Sequence, residues 1–91
     1  MTRARALPAG RHVVYRLAPD LLLVFKPRGH TETAHAHPYR QRLRVLRGTL
    51  IVRIGKHTRT LKPGSRPLTL AADRPHETRA LEPTWLSAES L

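Results

Sequence analysis

Two histidines separated by one residue, His35 and His37, are the residues of this sequence best suited to chemistry. In a β-strand successive side chains point to opposite faces, so these two share a face and can converge on one point. Gln41 follows four residues after His37, and Gly29 and Gly48 bracket the segment. Two neutral imidazoles directed at one point are the beginning of a metal site.

The spacing of this segment resembles the first motif of the cupin family. In that motif a glycine is followed by five residues, His-x-His, three or four residues, a glutamate, six residues and a second glycine. This chain keeps every interval, with Gln41 in the position of the glutamate. The resemblance implies a small β-barrel fold and a divalent metal, without specifying a reaction.

A second segment resembles the other cupin motif, in which a Pro-Gly turn precedes a Pro-x-Gly-x-x-His sequence. Here Pro63 and Gly64 are followed by Ala71, Asp73 and His76 in the positions of the proline, the glycine and the histidine. Asp73 tolerates the left-handed backbone that a glycine would otherwise supply. The resemblance covers roughly residues 20–90 and adds His76 to the implied ligands.

The resemblance therefore implies a metal site made of His35, His37, Gln41 and His76. Three neutral imidazoles can bind Zn, Ni, Fe, Mn or Cu, and the sequence leaves the identity of the ion open. The amide of Gln41 is either a fourth ligand, weaker than a carboxylate, or a group that holds an imidazole proton or a water beside the ion.

Composition limits the other possibilities. Ninety-one residues form one small domain, and the absence of cysteine excludes disulfides and thiolate zinc sites. The 17 Lys and Arg residues against 6 Asp and Glu give a net charge of +11, which favours anionic partners. No apolar run approaches the length of a membrane span or of a signal peptide, so we expect a cytoplasmic protein with no membrane partner.

Short runs of alternating residues between glycine and proline turns predict an all-β fold, a small antiparallel β-barrel or jelly roll. We expect a flexible basic N-terminal arm over 1–11 and a single cupin domain over 12–91. No segment of useful length has a helical period. The strands are predicted at 12–17, 21–25, 31–37, 41–47, 50–54, 57–61, 66–71, from 76 onward and at 84–90.

Strand parity predicts which side chains enter the barrel. In the strand over 31–37, Thr31, Thr33, His35 and His37 should point inward and Glu32 outward. The same rule places Gln41 on the core face and Glu77 on the outer face. We interpret three other histidines as structural or exposed, namely His12, His30 and His57. Few acidic groups are then left inside the barrel to assist a reaction.

Two function classes follow, and a third is weaker. The chain is a metal-dependent enzyme, of dioxygenase, isomerase or lyase type, acting on a small anionic molecule, or a non-catalytic cupin that binds or senses a small ligand or metal. The third class is nucleic-acid binding through the outer arginines Arg42, Arg44, Arg53 and Arg59, although aromatic residues that would stack on bases are nearly absent there. A core of this size is marginal, so we also expect a homodimer.

Overall fold

The computed structural model describes residues 12–91, together with the backbone of residues 2–6. These residues form ten β-strands and no helix, so no described segment is a helix that could cross a membrane. The strands are β1 (Thr2–Ala6), β2 (Val13–Ala18), β3 (Leu21–Lys26), β4 (Thr31–His35), β5 (Gln41–Arg47), β6 (Leu50–Ile54), β7 (His57–Leu61), β8 (Leu68–Leu70), β9 (His76–Ala80) and β10 (Thr84–Ser90).

The strands form two antiparallel sheets. One has six strands in the order β1-β2-β3-β10-β5-β8, and the other has four in the order β4-β9-β6-β7. The predicted all-β jelly-roll architecture is confirmed, although the sheets do not close into a continuous barrel. The core lies between the sheets and is formed by alternate residues of their strands, including Val24, Leu43, Val45, Leu50, Val52, Leu61, Leu70 and Leu86.

Strand parity holds in the two strands that the site depends on most. On β5, Gln41, Leu43 and Val45 are buried while the residues between them are exposed. On β9, His76, Thr78 and Ala80 are buried in the same alternating way. Regular backbone pairing without a bulge keeps the period of two along each of these segments.

The division into a flexible arm over 1–11 and a domain over 12–91 stays a prediction, although the backbone of residues 2–6 is extended. These residues form β1 and pair with β2 in antiparallel register, with an irregularity between Arg3 and Arg5. The backbone N–H and C=O groups along the outer edge of β2 give an extended segment hydrogen-bonding partners, and this pairing overrides the weak strand signal of a basic sequence. Residues 1 and 7–11 lie outside the described residues.

The predicted strand over 31–37 is also corrected. β4 ends at His35, and its pairing with β9 is irregular between Glu32 and His35. Such a bulge inserts an extra residue and breaks the period of two. Thr31 and Thr33 are consequently exposed instead of inward, and Glu32 turns toward the interior.

Two turn positions explain residues of the motifs. Gly48 has φ +93°, and a Cβ atom there would collide with the carbonyl oxygen of Pro83, so only glycine fits. Asp73 has φ +60°, as the sequence predicted, and is the only non-glycine residue with positive φ in the described part of the chain. Both turns precede strands that contribute to the interior.

Candidate metal centre

One cavity of about 310 Å³ lies between the two sheets and collects most of the polar residues of the interior. Its volume is at the lower end of the range for small-molecule sites. Apolar side chains of both sheets form much of its wall. The polar lining residues are His12, Lys26, Glu32, His35, His37, Gln41, His76 and Thr78.

The three predicted histidines come together at one end of this cavity. One ring nitrogen of each of His35, His37 and His76 lies within 4.8 Å of those of the other two. The ring centroids are 5.0 Å apart for His35 and His37, 4.5 Å for His35 and His76, and 5.5 Å for His37 and His76. We call this group the three-histidine cluster.

Backbone contacts place these rings. His35 and His76 face each other as direct partners across β4 and β9. His37 lies in the loop beyond the end of β4. Its backbone carbonyl oxygen accepts a hydrogen bond from the N–H of Asp73 at 2.6 Å. The Tyr39 ring stacks on the His37 imidazole at a centroid distance of 5.2 Å. His37 therefore joins the cluster through loop contacts and not through the strand period that predicted it.

Hydrogen bonds also select which nitrogen each ring presents. His35 Nδ1 donates to the carbonyl of Thr33 at 2.8 Å, and His76 Nδ1 donates to the carbonyl of Arg74 at 3.1 Å. An Nδ1–H that donates to a backbone carbonyl leaves Nε2 with a lone pair for a metal. This arrangement fits a divalent ion, for which imidazole nitrogens lie at about 2.0–2.1 Å.

The electrostatics favour the neutral imidazoles that metal binding requires. Burial lowers the pKa of His37, and the neighbouring His35 and His76 lower it further. Burial also lowers the pKa of His76, with His35 adding to the effect and the bond to Arg74 opposing it. Both effects disfavour the protonated forms of His37 and His76, because burial and neighbouring positive charge each oppose the imidazolium.

Gln41 is placed where the sequence predicted, on the interior face at the start of β5. It is 8% exposed and lines the same cavity as the three-histidine cluster. Its direct role as a ligand stays a prediction. An amide supplies no negative charge, so an ion bound here would be held by neutral groups alone.

The prediction that Glu32 points outward is wrong, because the bulge in β4 turns this residue into the cavity. Its Oε1 accepts a hydrogen bond from Lys26 Nζ at 3.0 Å and lies 3.3 Å from His30 Nε2 and 3.6 Å from His12 Nδ1. We call His12, Lys26, His30 and Glu32 the Lys26 cluster. Glu77, by contrast, lies on the outer side as predicted, with its carboxylate 3.3 Å from Arg53 Nε.

Burial and charge set the protonation of the Lys26 cluster. Burial lowers the pKa of His12 to about 4, and Lys26 adds to this effect. Burial alone would raise the pKa of Glu32, but Lys26 and the hydrogen bond from His30 outweigh it and lower the pKa to about 2. Burial lowers the pKa of Lys26, and Glu32 opposes that change. The cluster thus contains one carboxylate, one ammonium held by it, and a neutral His12.

The sequence did not indicate that His12, Lys26 and His30 lie in the interior. The strand predicted over 21–25 stops before Lys26, yet Lys26 is the last residue of β3 and only 5% exposed. His12 and His30 were interpreted as structural or exposed, but their rings lie 4.8 Å apart beside Glu32. One usable signal was parity on β3, where the buried Val24 predicts an inward side chain two residues later at Lys26. His57 is exposed, as expected.

No protein-family model matches this chain, and no curated protein matches it in sequence. Several solved structures are similar to it in fold. The Cupin_2 domain of an XRE family transcriptional regulator from Enterobacter cloacae is 24% identical, with a TM-score of 0.71 over 87% of this chain and 94% of that one. KdgF from Halomonas sp. is 24% identical, with a TM-score of 0.73 over 99% and 87% of the two chains.

The chain has the cupin fold. A structure of the DMSP lyases RdDddP and RnDddQII superposes with a TM-score of 0.79 at 16% identity, and the match covers 88% of this chain and 47% of that one. At these identities the likeness concerns the fold alone. The resemblance that the motif spacing predicted is confirmed at that level.

Proposed function

We propose that this cupin domain binds one divalent transition metal through His35, His37 and His76, and that the metal binds a small anionic molecule in the adjoining cavity. The observation that carries the proposal is the convergence of three imidazoles, each able to present a nitrogen, at one end of the cavity between the sheets. Gln41 lies beside them as a fourth ligand or as a partner of a bound water.

Charge supports an anionic ligand at this end. When bound, a divalent ion would act as a Lewis acid that polarises a coordinated oxygen. The three imidazoles and Gln41 contribute no negative charge, so the full positive charge would remain to attract a carboxylate. The histidines of this chain would hold the ion, and apolar side chains of both sheets would surround the rest of the ligand.

Metal analysis of protein purified without a His-tag or a nickel column tests the proposal. We expect about one zinc, nickel, iron, manganese or copper ion per chain, and retention of that stoichiometry after dialysis against buffer without chelator. The His35→Ala/His76→Ala variant should contain none while keeping the far-UV spectrum of a β-protein. Metal-free native protein that also fails to take up zinc in equilibrium dialysis would refute the proposal.

Two alternatives exist for this site: the domain catalyses a reaction, or it only binds a ligand. Among the similar structures, one belongs to a transcriptional regulator and another to lyases. Glu32 and Lys26 line the cavity and supply an acidic and a basic group there, which supports the enzyme alternative. A turnover screen of metal-loaded protein on small carboxylates discriminates the two, because a binding or sensing domain would retain its ligand unchanged.

Self-association as a homodimer stays a prediction. The outer face of the six-stranded sheet supports it, because Phe25 and Trp85 lie there with rings 4.9 Å apart and Tyr15 stacks on Trp85 at 6.5 Å. We expect a second copy of the chain to cover these rings, and light scattering at tens of micromolar should give twice the monomer mass. A monomeric mass would contradict the prediction.

Nucleic-acid binding and a cytoplasmic location also stay predictions. Arg42 and Arg44 lie on β5 of one sheet, whereas Arg53 and Arg59 lie on β6 and β7 of the other. The outer faces of two stacked sheets point in opposite directions, so Arg42 and Arg44 do not form one continuous surface with Arg53. The predicted outer position of Arg59 is wrong, because the register of β7 puts Arg59 on the same side of the strand as the buried Leu61. A salt titration with duplex DNA tests the first prediction, and cell fractionation tests the second.

A further inference from the structure

We propose that the Lys26 cluster and Thr78 form a second subsite, which binds an uncharged hydroxyl or carbonyl group of the same small molecule whose carboxylate is held at the three-histidine cluster. The ligand class is thus a short hydroxy- or oxo-carboxylate. The proposal rests on the proposed function, because it takes the metal end as the carboxylate end.

The strand register sets the spacing of the two ends. His35 is the partner of His76 across β4 and β9, and Glu32 is the partner of Thr78. His76 and Thr78 are two residues apart on the regular strand β9, which corresponds to about 6.6 Å. All four residues line one cavity, so a molecule of about four carbons can reach both ends. Val24, Leu43 and Leu50 on the wall are suited to contact its methylene groups.

The charges assign a different chemical group to each end. Glu32 and Lys26 form an ion pair at 3.0 Å, so the cluster has already neutralised its own charge. A ligand carboxylate placed there would lie beside the carboxylate of Glu32 and be repelled. A hydroxyl can accept a hydrogen bond from the Lys26 ammonium and donate one to Glu32, and a carbonyl can accept from Lys26.

Thr78 supplies an independent indication that a polar group belongs here. Its side chain is on the cavity wall and the residue is only 7% exposed, yet Oγ1 has no hydrogen-bond partner among the described residues. His12 Nδ1 is likewise buried without a partner. Native proteins rarely leave buried polar atoms unpaired, and each such atom calls for a water or a ligand.

A second metal ion is the competing interpretation of this cluster, since His12, His30 and Glu32 offer ligand atoms within 4.8 Å of one another. Lys26 argues against it. Its ammonium already makes a 3.0 Å contact with the same carboxylate oxygen that an ion would need, and a divalent ion beside it would meet direct charge repulsion. A stoichiometry of two metal ions per chain would overturn the subsite assignment.

Binding of four probes to the zinc-loaded chain tests the proposal by isothermal titration calorimetry. The probes are butyrate, 3-hydroxybutyrate, 4-hydroxybutyrate and succinate, which share a carboxylate and differ in the second polar group. We expect the tighter of the two hydroxybutyrates to bind about tenfold more tightly than butyrate, as expected for one or two added hydrogen bonds. Succinate should bind no more tightly than butyrate, because its second carboxylate meets Glu32.

Two variants test which residues cause the preference for a hydroxyl group. Thr78→Val removes the hydroxyl at constant shape and should reduce the hydroxyl preference to about threefold or less. Lys26→Met/Glu32→Gln, which removes both charges together, should abolish it. Thr69→Val is the matched control on the outer side of β8 and should retain the full preference. The zinc dissociation constant, measured separately by chelator competition, should stay unchanged in all of these variants.

The outcomes separate this inference from the proposed function. If the unaltered chain binds no zinc, the proposed function and the inference both fail. If zinc binds and the four probes bind equally, or succinate binds most tightly, only the subsite assignment fails. The same holds if the hydroxyl preference survives both the Thr78→Val and the Lys26→Met/Glu32→Gln substitutions.

Discussion

The two polar ends of the cavity differ in how their charges are balanced. The three-histidine cluster brings together three imidazoles with no acidic partner within the cluster. The Lys26 cluster instead contains an ammonium and a carboxylate in direct contact, with two imidazoles against them. The first arrangement offers three ligands to the proposed cation, whereas the second contains its own pair of opposite charges.

Because of this difference, we expect one end to determine the affinity for an ion and the other to determine the free energy of unfolding. A histidine whose imidazole serves an added ion is expected to contribute more to ion affinity than to the free energy of unfolding. A buried ion pair behaves in the opposite way, since the loss of one partner leaves an uncompensated charge in the interior. Substitutions at the two ends should therefore change different measured quantities.

The largest expected effect is on stability, at Lys26. The Lys26→Met substitution should lower the free energy of unfolding by about 3 kcal/mol, the lower end of the range for a broken buried pair, because the partly exposed Glu32 would lose its counter-charge. The Lys26→Met/Glu32→Gln double substitution should recover most of the loss. Urea unfolding followed by tryptophan fluorescence measures both, and Lys56→Met at an exposed turn is the control. Equal destabilisation by Lys26→Met and by Lys56→Met would remove the distinction between the two ends.

The next effect is on metal affinity, at His76. His76→Ala should weaken zinc binding by at least about 100-fold, since it removes one of three neutral ligands. His30→Ala, at the other end, should change the affinity by less than about threefold, because its ring serves Glu32 and not the ion. Competition with a chromophoric chelator gives both constants. Similar losses in the two variants would mean that the ends act as one metal site.

A smaller effect is expected on the pH dependence of stability. His12 binds a proton near pH 6.5 when unfolded and near pH 4 when folded, so acidification over that interval favours the unfolded chain. The groups facing His12 are Lys26, His30 and Glu32, and the contribution of Glu32 is lost only below about pH 4.5. Thermal unfolding at pH 7 and pH 4.5 should therefore show a smaller fall in Tm for His12→Gln than for the unaltered chain. An identical fall would show that His12 protonates freely in the folded state.

The smallest of these effects concerns Gln41. Gln41→Glu adds a carboxylate at the metal end and should raise manganese or zinc affinity by about tenfold, because a charged oxygen donor is stronger than an amide oxygen. It should also make the empty site less stable, since a buried carboxylate would then lack a cation. Zinc titration and urea unfolding of the same variant check both statements. Weaker metal binding with an intact fold would place the Gln41 side chain away from the ion.

Sequence and structure agreed where the backbone is regular. The period of two predicted the interior position of Gln41 on β5 and the outer position of Glu77 on β9, because the pairing is regular at both residues. Asp73 adopts the predicted left-handed backbone, because an aspartate can replace glycine in that region at low cost. The strand order of the two sheets was not predictable, since it depends on contacts between segments far apart in the chain.

The sequence by itself determined the all-β fold, because short-range periodicity and turn residues specify it, and motif spacing that resembles the cupin pattern indicated the set of histidines at one end of the cavity. Only the tertiary structure decided the other end. The bulge in β4 reverses the direction of Glu32, and the pairing of distant strands brings His12 and Lys26 to it. A bulge changes the relative direction of the side chains before and after it, so Glu32 and His35 both face the interior although they are three residues apart, and nothing in the local pattern of residues 31–35 marks where the bulge occurs.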